Sequence, residues 1–244
     1  MIKIKNISKS FSQKKEILKD ISLNINKGDI VAIIGQSGVG KSVLLKHING
    51  LLIPDKGSVY IDDFCINSLT FSELQKIRKK ISMVFQFGAL FDSMNIYDNI
   101  KIALDNATQL SSKDKVKVIK ESLSAVGLPD IELMYPSDIS GGMKKRVGIA
   151  RAISISPQYI LYDEPTTGLD PINTDKMISL MKKIQEREKS TSVIVTHEMR
   201  IINELATKII MLKEGKIIFD GTPNELNSSS DKYIKYFISG QNRL

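Results

Sequence analysis

The sequence predicts an α/β fold built on a mainly parallel sheet. Two apolar runs of strand length, Ile30-Val31-Ala32-Ile33-Ile34 and Tyr159-Ile160-Leu161-Tyr162, read as strands buried on both faces. The β-branched run Thr191 to Thr196 reads as another. Stretches of helical periodicity separate these runs, and strand–helix alternation implies parallel pairing with helices on both faces.

Taken in order, residues 1–30 read as short strands with turns. Ile21-Ser22-Leu23-Asn24-Ile25 alternates with period two, and Asn26-Lys27-Gly28-Asp29 supplies a turn. A helix is expected from Ser42 to Asn49, stopped by Gly50. Pro54-Asp55-Lys56-Gly57 then turns the chain into the strand Ser58-Val59-Tyr60-Ile61. Ile81-Ser82-Met83-Val84-Phe85 is a further strand. From about Gly88 to Ser156 the pattern is mostly helical and polar, consistent with a helical insertion. Asp170-Pro171 opens another helix, with Asp as N-cap, Pro at the first position, and Ile172, Met177, Ile178, Met181 and Ile184 on one face. Lys213-Glu214-Gly215-Lys216 joins two strands as a hairpin. The tail begins Ser-rich and ends in a short helix over 232–238.

Between the first buried strand and the helix after it lies Gly35-Gln36-Ser37-Gly38-Val39-Gly40-Lys41-Ser42, a match to G-x-x-x-x-G-K-[ST]. Glycines let the backbone curl so that successive N–H groups point at one anion, and the helix adds its positive end. Lys41 is suited to the β- and γ-phosphates of a nucleoside triphosphate, and the Ser42 hydroxyl to Mg²⁺. A plain glycine-rich turn is the alternative, and the strand–loop–Lys-Ser–helix context argues against it.

Composition bounds the rest. The 244 residues carry 42% hydrophobic and 25% charged residues, ordinary for a soluble globular chain. No apolar run approaches the ~20 residues of a membrane helix. The N-terminus alternates like a strand and lacks the apolar block of a signal peptide, so a cytoplasmic chain is expected. Net charge is +8, but the lysines are scattered and no basic stretch is interleaved with aromatics, so nucleic acid is not the expected partner. Cys65 is the single cysteine and reads as a core or edge thiol.

Two further segments bear chemistry. Asp163-Glu164 ends a buried strand, where ligands sit in open α/β sheets. Asp163 suits Mg²⁺, usually through water, and Glu164 suits activation of an attacking water. A solvated acidic pair is the alternative. Ile139-Ser140-Gly141-Gly142-Met143-Lys144-Lys145-Arg146 places an N-cap serine and two glycines ahead of a helix with Val147, Ala150 and Ile153 on one face. Its cations oppose the helix dipole unless an anion or an outside acid compensates, so the segment reads as a second anion-binding helix terminus.

Together with Gln86 after a strand, Gly168-Leu169-Asp170 after the acidic pair and His197 after strand 191–196, these residues resemble the ATP-binding subunit of ABC transporters over about residues 1–226. The resemblance implies a P-loop NTPase of ABC type: a mainly parallel core, an antiparallel β-subdomain, a helical subdomain over about 88–156, and a C-terminal tail, 227–244. It implies a homodimer with two ATP molecules at the interface, each taking Gly35, Gln36, Ser37, Gly38, Val39, Gly40, Lys41 and Ser42 from one copy and Ser140, Gly141 and Gly142 from the other. Phe11 would stack on adenine, the alternative being a core Phe. Gln86 would contact Mg²⁺ and the attacking water, His197 the γ-phosphate and Glu164, and Asp170 the dimer interface. His47 has no such support and reads as structural.

Within the family, Ser-Gly-Gly-Met and the segment Phe85 to Ile96, with Gly88-Ala89-Leu90-Phe91 after the Gln, resemble the ATPases of MCE-type lipid transporters, the Mla system among them. Met143 replaces the usual Gln and Ile139 the usual Leu. The apolar side chains after Gln86 would dock a membrane subunit, the alternative being helical-subdomain core. The resemblance implies an integral membrane permease, an MCE-domain lipid-binding protein, a small STAS-type regulatory subunit, and a peripheral place on the cytoplasmic face of the inner membrane. Two other functions stay open: an ABC ATPase serving another cargo, and a soluble ABC ATPase outside transport.

Overall fold

A computed structural model describes residues 1–12 and 15–240. In chain order the elements are β1 (Ile2–Ser12), β2 (Lys15–Ile25), β3 (Ile30–Ile34), α1 (Lys41–Ile48), β4 (Lys56–Ile61), β5 (Phe64–Cys65), α2 (Phe71–Arg78) and β6 (Ile81–Val84). They continue with α3 (Ile96–Ala107), α4 (Ser112–Ala125), α5 (Gly141–Ile153), β7 (Tyr159–Asp163), α6 (Pro171–Glu188) and β8 (Thr191–Val195). The chain ends with α7 (Met199–Glu204), β9 (Lys208–Lys213), β10 (Lys216–Gly221), α8 (Pro223–Asn227) and α9 (Lys232–Ile238). Two compact units result, residues 1–74 with 191–244, and residues 75–190.

In the first unit, β3 pairs in parallel with β8 on one side and β9 on the other, while β10 returns antiparallel on β9. Val31 to Ile34 and all of β8 are buried, as parallel strands covered on both faces must be. A separate antiparallel sheet runs β2-β1-β4-β5. The short strands expected over residues 1–30 are two strands of 11 residues each, paired from Ile2↔Ile25 to Ser12↔Lys15. Asn6 and Asp20, at φ 49° and 55°, sit where the pairing slips, so breaks in alternation that resemble turns are bulges within continuous strands. Cys65 lies in the edge strand β5 and is a free thiol.

A buried apolar cluster in this unit joins Ala32 and Ile34 of β3 with Ile202, Ile209, Met211, Leu226 and Ile234. The helix expected over 232–238 forms as α9, and Ile234 anchors it in that cluster. The last four residues of the expected tail lie outside the described residues.

In the second unit, β6 and β7 pair in parallel, from Ile81↔Tyr159 to Val84↔Tyr162. Residues 88–95, expected as the start of a helical stretch, are loop, and α3 begins at Ile96 behind an Asn95 cap. On α6 the buried residues are Thr174, Met177, Ile178, Leu180, Met181 and Ile184, whereas Ile172 is 67% exposed. At 100° per residue Ile172 lies well off the stripe centred on Met177 and Ile178, so its placement on the apolar face is corrected.

Candidate functional site

The first unit supplies a glycine-rich loop, a candidate phosphate cradle. Gly35, Gly38 and Gly40 all take positive φ, and Gly40 is the N-cap of α1. A Cβ on Gly35 would stand 2.3 Å from the Leu212 carbonyl oxygen, so only glycine fits at this point of the loop. Gly40 brings no side chain to cap α1, and the first turn of the helix holds no acid. The positive end of the helix is thereby aimed at the loop without an internal counter-charge. Lys41 is buried and folds back, its Nζ donating to the carbonyl oxygens of Gly35 at 2.8 Å and Gln36 at 3.0 Å.

Parallel pairing brings His197 to the same edge. Ile33 pairs with Val195, and the Thr196 N–H donates to the Ile33 carbonyl at 3.2 Å. The loop after β3 and the exposed His197 after β8 therefore leave the carboxyl ends of adjacent strands. The Thr196 hydroxyl accepts from the Glu198 N–H at 3.0 Å and fixes the backbone on either side of the imidazole. Phe11 is 60% exposed, with the Lys9 ammonium 5.8 Å from its ring centre. A core role for Phe11 is thus removed. His47 is fully buried on α1, with Nδ1 2.7 Å from the Val43 carbonyl oxygen, and burial holds its pKa below the ordinary value.

The second unit gathers the acidic pair and the segment opening α5. Because β6 and β7 are parallel, Gln86 and Asp163-Glu164 emerge from the same edge. Glu164 has φ 51°, a left-handed conformation costing about 1–3 kcal/mol for a residue with a Cβ, and such strain collects at functional turns. Its Oε2 accepts a hydrogen bond from Thr167 Oγ1 at 3.0 Å. Ser140 caps α5, its Oγ accepting from the Met143 N–H at 3.2 Å. Asp170 caps α6 by accepting from the Asn173 N–H at 3.0 Å and Nδ2 at 2.5 Å, and these bonds hold its carboxyl below the usual range. Ser140, Gly141, Gly142, Gly168, Leu169 and Asp170 line one groove of about 1210 Å³.

The compensation that the cations of α5 require is largely internal. Lys145 donates to the Gln86 and Pro165 carbonyls and is attracted by Glu164; Arg146 donates to the carbonyls of Val126 and Gly127, both at 3.3 Å. Phe87 is 72% exposed and Phe91 49%, so these two are not core of the helical region, whereas Ile96 is fully buried. Residues that hold this loop escape any local pattern. Asn99, fully buried, accepts from the Phe91 N–H and donates to the Phe91, Met94 and Asn95 carbonyls. Arg151 donates to the Gly88 and Ala89 carbonyls, each at 2.8 Å. An arginine or buried Asn at helical spacing carries no signal of which distant carbonyl it will reach.

Among the described residues no group of three or more His, Cys, Asp or Glu is placed to hold a metal ion, and no helix is long and apolar enough to cross a membrane.

Comparison with known proteins agrees with this geometry. The family model described as ABC transporter matches residues 18–167. The chain is 36% identical over 242 residues to the intermembrane phospholipid transport ATP-binding protein MlaF of Haemophilus influenzae, covering 99% of this chain and 91% of that one. It is 40% identical over 228 residues to the methionine import ATP-binding protein MetN of Carboxydothermus hydrogenoformans, covering 93% and 67%. Among solved structures, the dimeric post-hydrolysis state of the ATP-binding cassette MJ0796 bound to ADP and Pi superposes with a TM-score of 0.85 at 35% identity, covering 91% of this chain and 99% of that one. With a glycine cradle on one strand edge and an acid-ended strand in the other unit, the chain belongs to the ABC transporter family and is one of its ATP-binding, ATP-hydrolysing cassettes.

Proposed function

We propose that this ATPase drives lipid movement as the peripheral subunit of a membrane transporter. The observation that carries the reading is the loop after Gln86, where Phe87 and Phe91 stand exposed beside Gly88-Ala89-Leu90. An apolar loop attached to a hydrolytic residue suits docking of a membrane subunit. Its sequence, with Ser140-Gly141-Gly142-Met143, resembles the lipid-transport branch, and the MlaF relative aligns over nearly the whole of both chains. The permease is integral, the cassette sits on the cytoplasmic face, and MCE-domain and STAS-type subunits are the expected companions. Residues 1–226 form the cassette, with α9 in the tail.

In this reading two copies associate head to tail. Each ATP lies between Gly35–Ser42 of one copy and Ser140, Gly141 and Gly142 of the other, with Phe11 against adenine and Asp170 at the interface. ATP favours the closed dimer because only there do both anion sites engage it. Water attacks the γ-phosphorus, its proton passes to Glu164, the bond to the β-phosphate oxygen breaks, and ADP and phosphate leave. His197 holds the γ-phosphate and orients Glu164. Ser42, Gln86 and Asp163 offer hard oxygen donors, which fit Mg²⁺ shared with the phosphates better than an all-protein cage. Bound there, Mg²⁺ would neutralise charge on the phosphate oxygens.

Affinity purification of the tagged chain from its native membrane tests the proposal. Co-purification of an MCE-domain protein, a permease and bound phospholipid is the expected result. A permease for another cargo would replace the lipid assignment, and ribosomal proteins would overturn the transport reading.

A further inference from the structure

Lys145 is a buried cation that the scheme above leaves without a task. It is 5% exposed on the first turns of α5. Its Nζ donates to the Gln86 carbonyl at 2.5 Å and to the Pro165 carbonyl at 3.2 Å. These carbonyls belong to the two loops that leave the shared edge of β6 and β7. One carries Gln86; the other carries Glu164, the residue before Pro165. The Phe87 ring lies 5.9 Å from the ammonium. Burial lowers the pKa of Lys145, and the charge of Glu164 partly offsets that effect. An ammonium taken out of water is tolerated only where such acceptors hold it, so its position is strongly specified.

Other contacts show that α5 and the Gln86 loop are already one piece. A Cβ on Gly88 would stand 2.6 Å from the Lys144 carbonyl oxygen, and one on Gly148 would stand 3.1 Å from Gly88 Cα. Arg151 anchors residues 88 and 89 from the next turns of the same helix. Lys145 extends this attachment to Gln86 itself, and ties in the loop that begins with Glu164.

We propose that Lys145 is a positioning residue for ATP hydrolysis: it clamps the Gln86 and Glu164–Pro165 loops to the helix that presents Ser140, Gly141 and Gly142. The clamp makes the 87–91 segment with its exposed Phe87 and Phe91, the hydrolytic carboxylate and the serine-capped helix end move as a unit. It contacts no reacting atom, and the inference rests on the roles proposed for Gln86 and Glu164.

The test compares the full chain with Lys145→Met, Lys145→Arg and Glu164→Gln. ATPase rate is expressed per nucleotide-binding chain, with binding stoichiometry measured by calorimetry and folding by thermal unfolding. Lys145→Met is expected to lower kcat by about tenfold to a hundredfold, the range for a displaced catalytic group, with KM within about twofold and full binding stoichiometry. Lys145→Arg, which keeps a buried donor, is expected to recover most of the rate. A wild-type kcat in Lys145→Met overturns the proposal, as does an equal loss in Lys145→Arg. Should Lys145→Met not fold, Lys145→Gln decides: its shorter amide cannot keep both carbonyls at the same place, so kcat falls at unchanged KM, and a wild-type kcat overturns the clamp. If Glu164→Gln hydrolyses ATP at the wild-type rate, the assignment of Glu164 is what fails. If Glu164→Gln is inactive while Lys145→Met is not, only the clamp fails.

Discussion

Thr167 Oγ1 donates to Glu164 Oε2 across 3.0 Å, on a turn where Glu164 itself is held at φ 51°. The carboxylate is therefore oriented by its own loop, at the end of a buried strand. Glu164→Gln keeps the shape of the side chain and removes the carboxylate proposed as the base. It should lower kcat by about a hundredfold or more, in the range of general-base loss, while ATP affinity stays unchanged. Accumulation of an ATP-bound dimer on gel filtration checks the binding half of this expectation. Wild-type turnover would exclude Glu164 as the base.

Lys41 should behave in the opposite way. Its buried ammonium lies against the Gly35 and Gln36 carbonyls at the mouth of the cradle. Lys41→Ala should weaken ATP binding at least about tenfold, the equivalent of losing one charged hydrogen bond of ~1.5 kcal/mol. Isothermal calorimetry reads this directly, and an unchanged Kd would refute the role.

Ser140 caps α5, and the proposed contact with nucleotide would be a second, separable job. As the N-cap of α5 it accepts from Met143 N–H, and Ser140→Ala should cost about 1 kcal/mol of stability. A capping role alone leaves turnover of the folded protein intact. A contact with nucleotide across a dimer lowers kcat well beyond that, and Ser140→Asn, which restores a cap but not the small hydroxyl, should not recover it. Denaturant unfolding paired with ATPase rates separates the two.

His47 sets a pH dependence of stability. Burial is the main cause that lowers its pKa from 6.5, with Lys9 adding to the shift, while the Val43 carbonyl and Asp55 oppose it. The unfolded chain then binds the proton more readily than the folded one, so stability is complete above pH 6.5 and is lost as pH falls toward the folded-state value. Protonation would place a second N–H at Nε2, a buried atom without a hydrogen-bond partner among the described residues. His47→Leu should show a flatter decline between about pH 7 and pH 5 than the parent chain, measured by urea unfolding at each pH. Parallel slopes would exclude His47 as the titrating group.

Much of the cradle is legible in the sequence because its determinants are local. Gly35, Gly38 and Gly40 mark the backbone bends, Lys41-Ser42 follow at fixed spacing, and the apolar run of β3 marks the strand that leads in. The caps Ser140 and Asp170 are legible for the same reason, since each bonds a backbone N–H a few residues ahead. The continuity of β1 and β2 is not legible, because a bulge at Asn6 or Asp20 has the same residue preferences as a turn. Ile172 shows that apolar character alone does not place a side chain: at 100° per residue it lies opposite the stripe of Met177 and Ile178, and it is exposed.

By itself, then, the sequence determined the glycine-rich loop between strand and helix, the acidic strand end, the capped helix starts and the resemblance to the family, all carried by short-range patterns. Tertiary structure alone decided that parallel register places Gln86 on the same strand edge as Glu164, and His197 on the same edge as the cradle. It also decided that Phe87 faces solvent and that Lys145 reaches the carbonyls of Gln86 and Pro165. The physical reason is range. A cap or a glycine bend is satisfied within one turn of the chain, whereas a buried ammonium is satisfied by whatever acceptors folding brings to it, and no local periodicity names them.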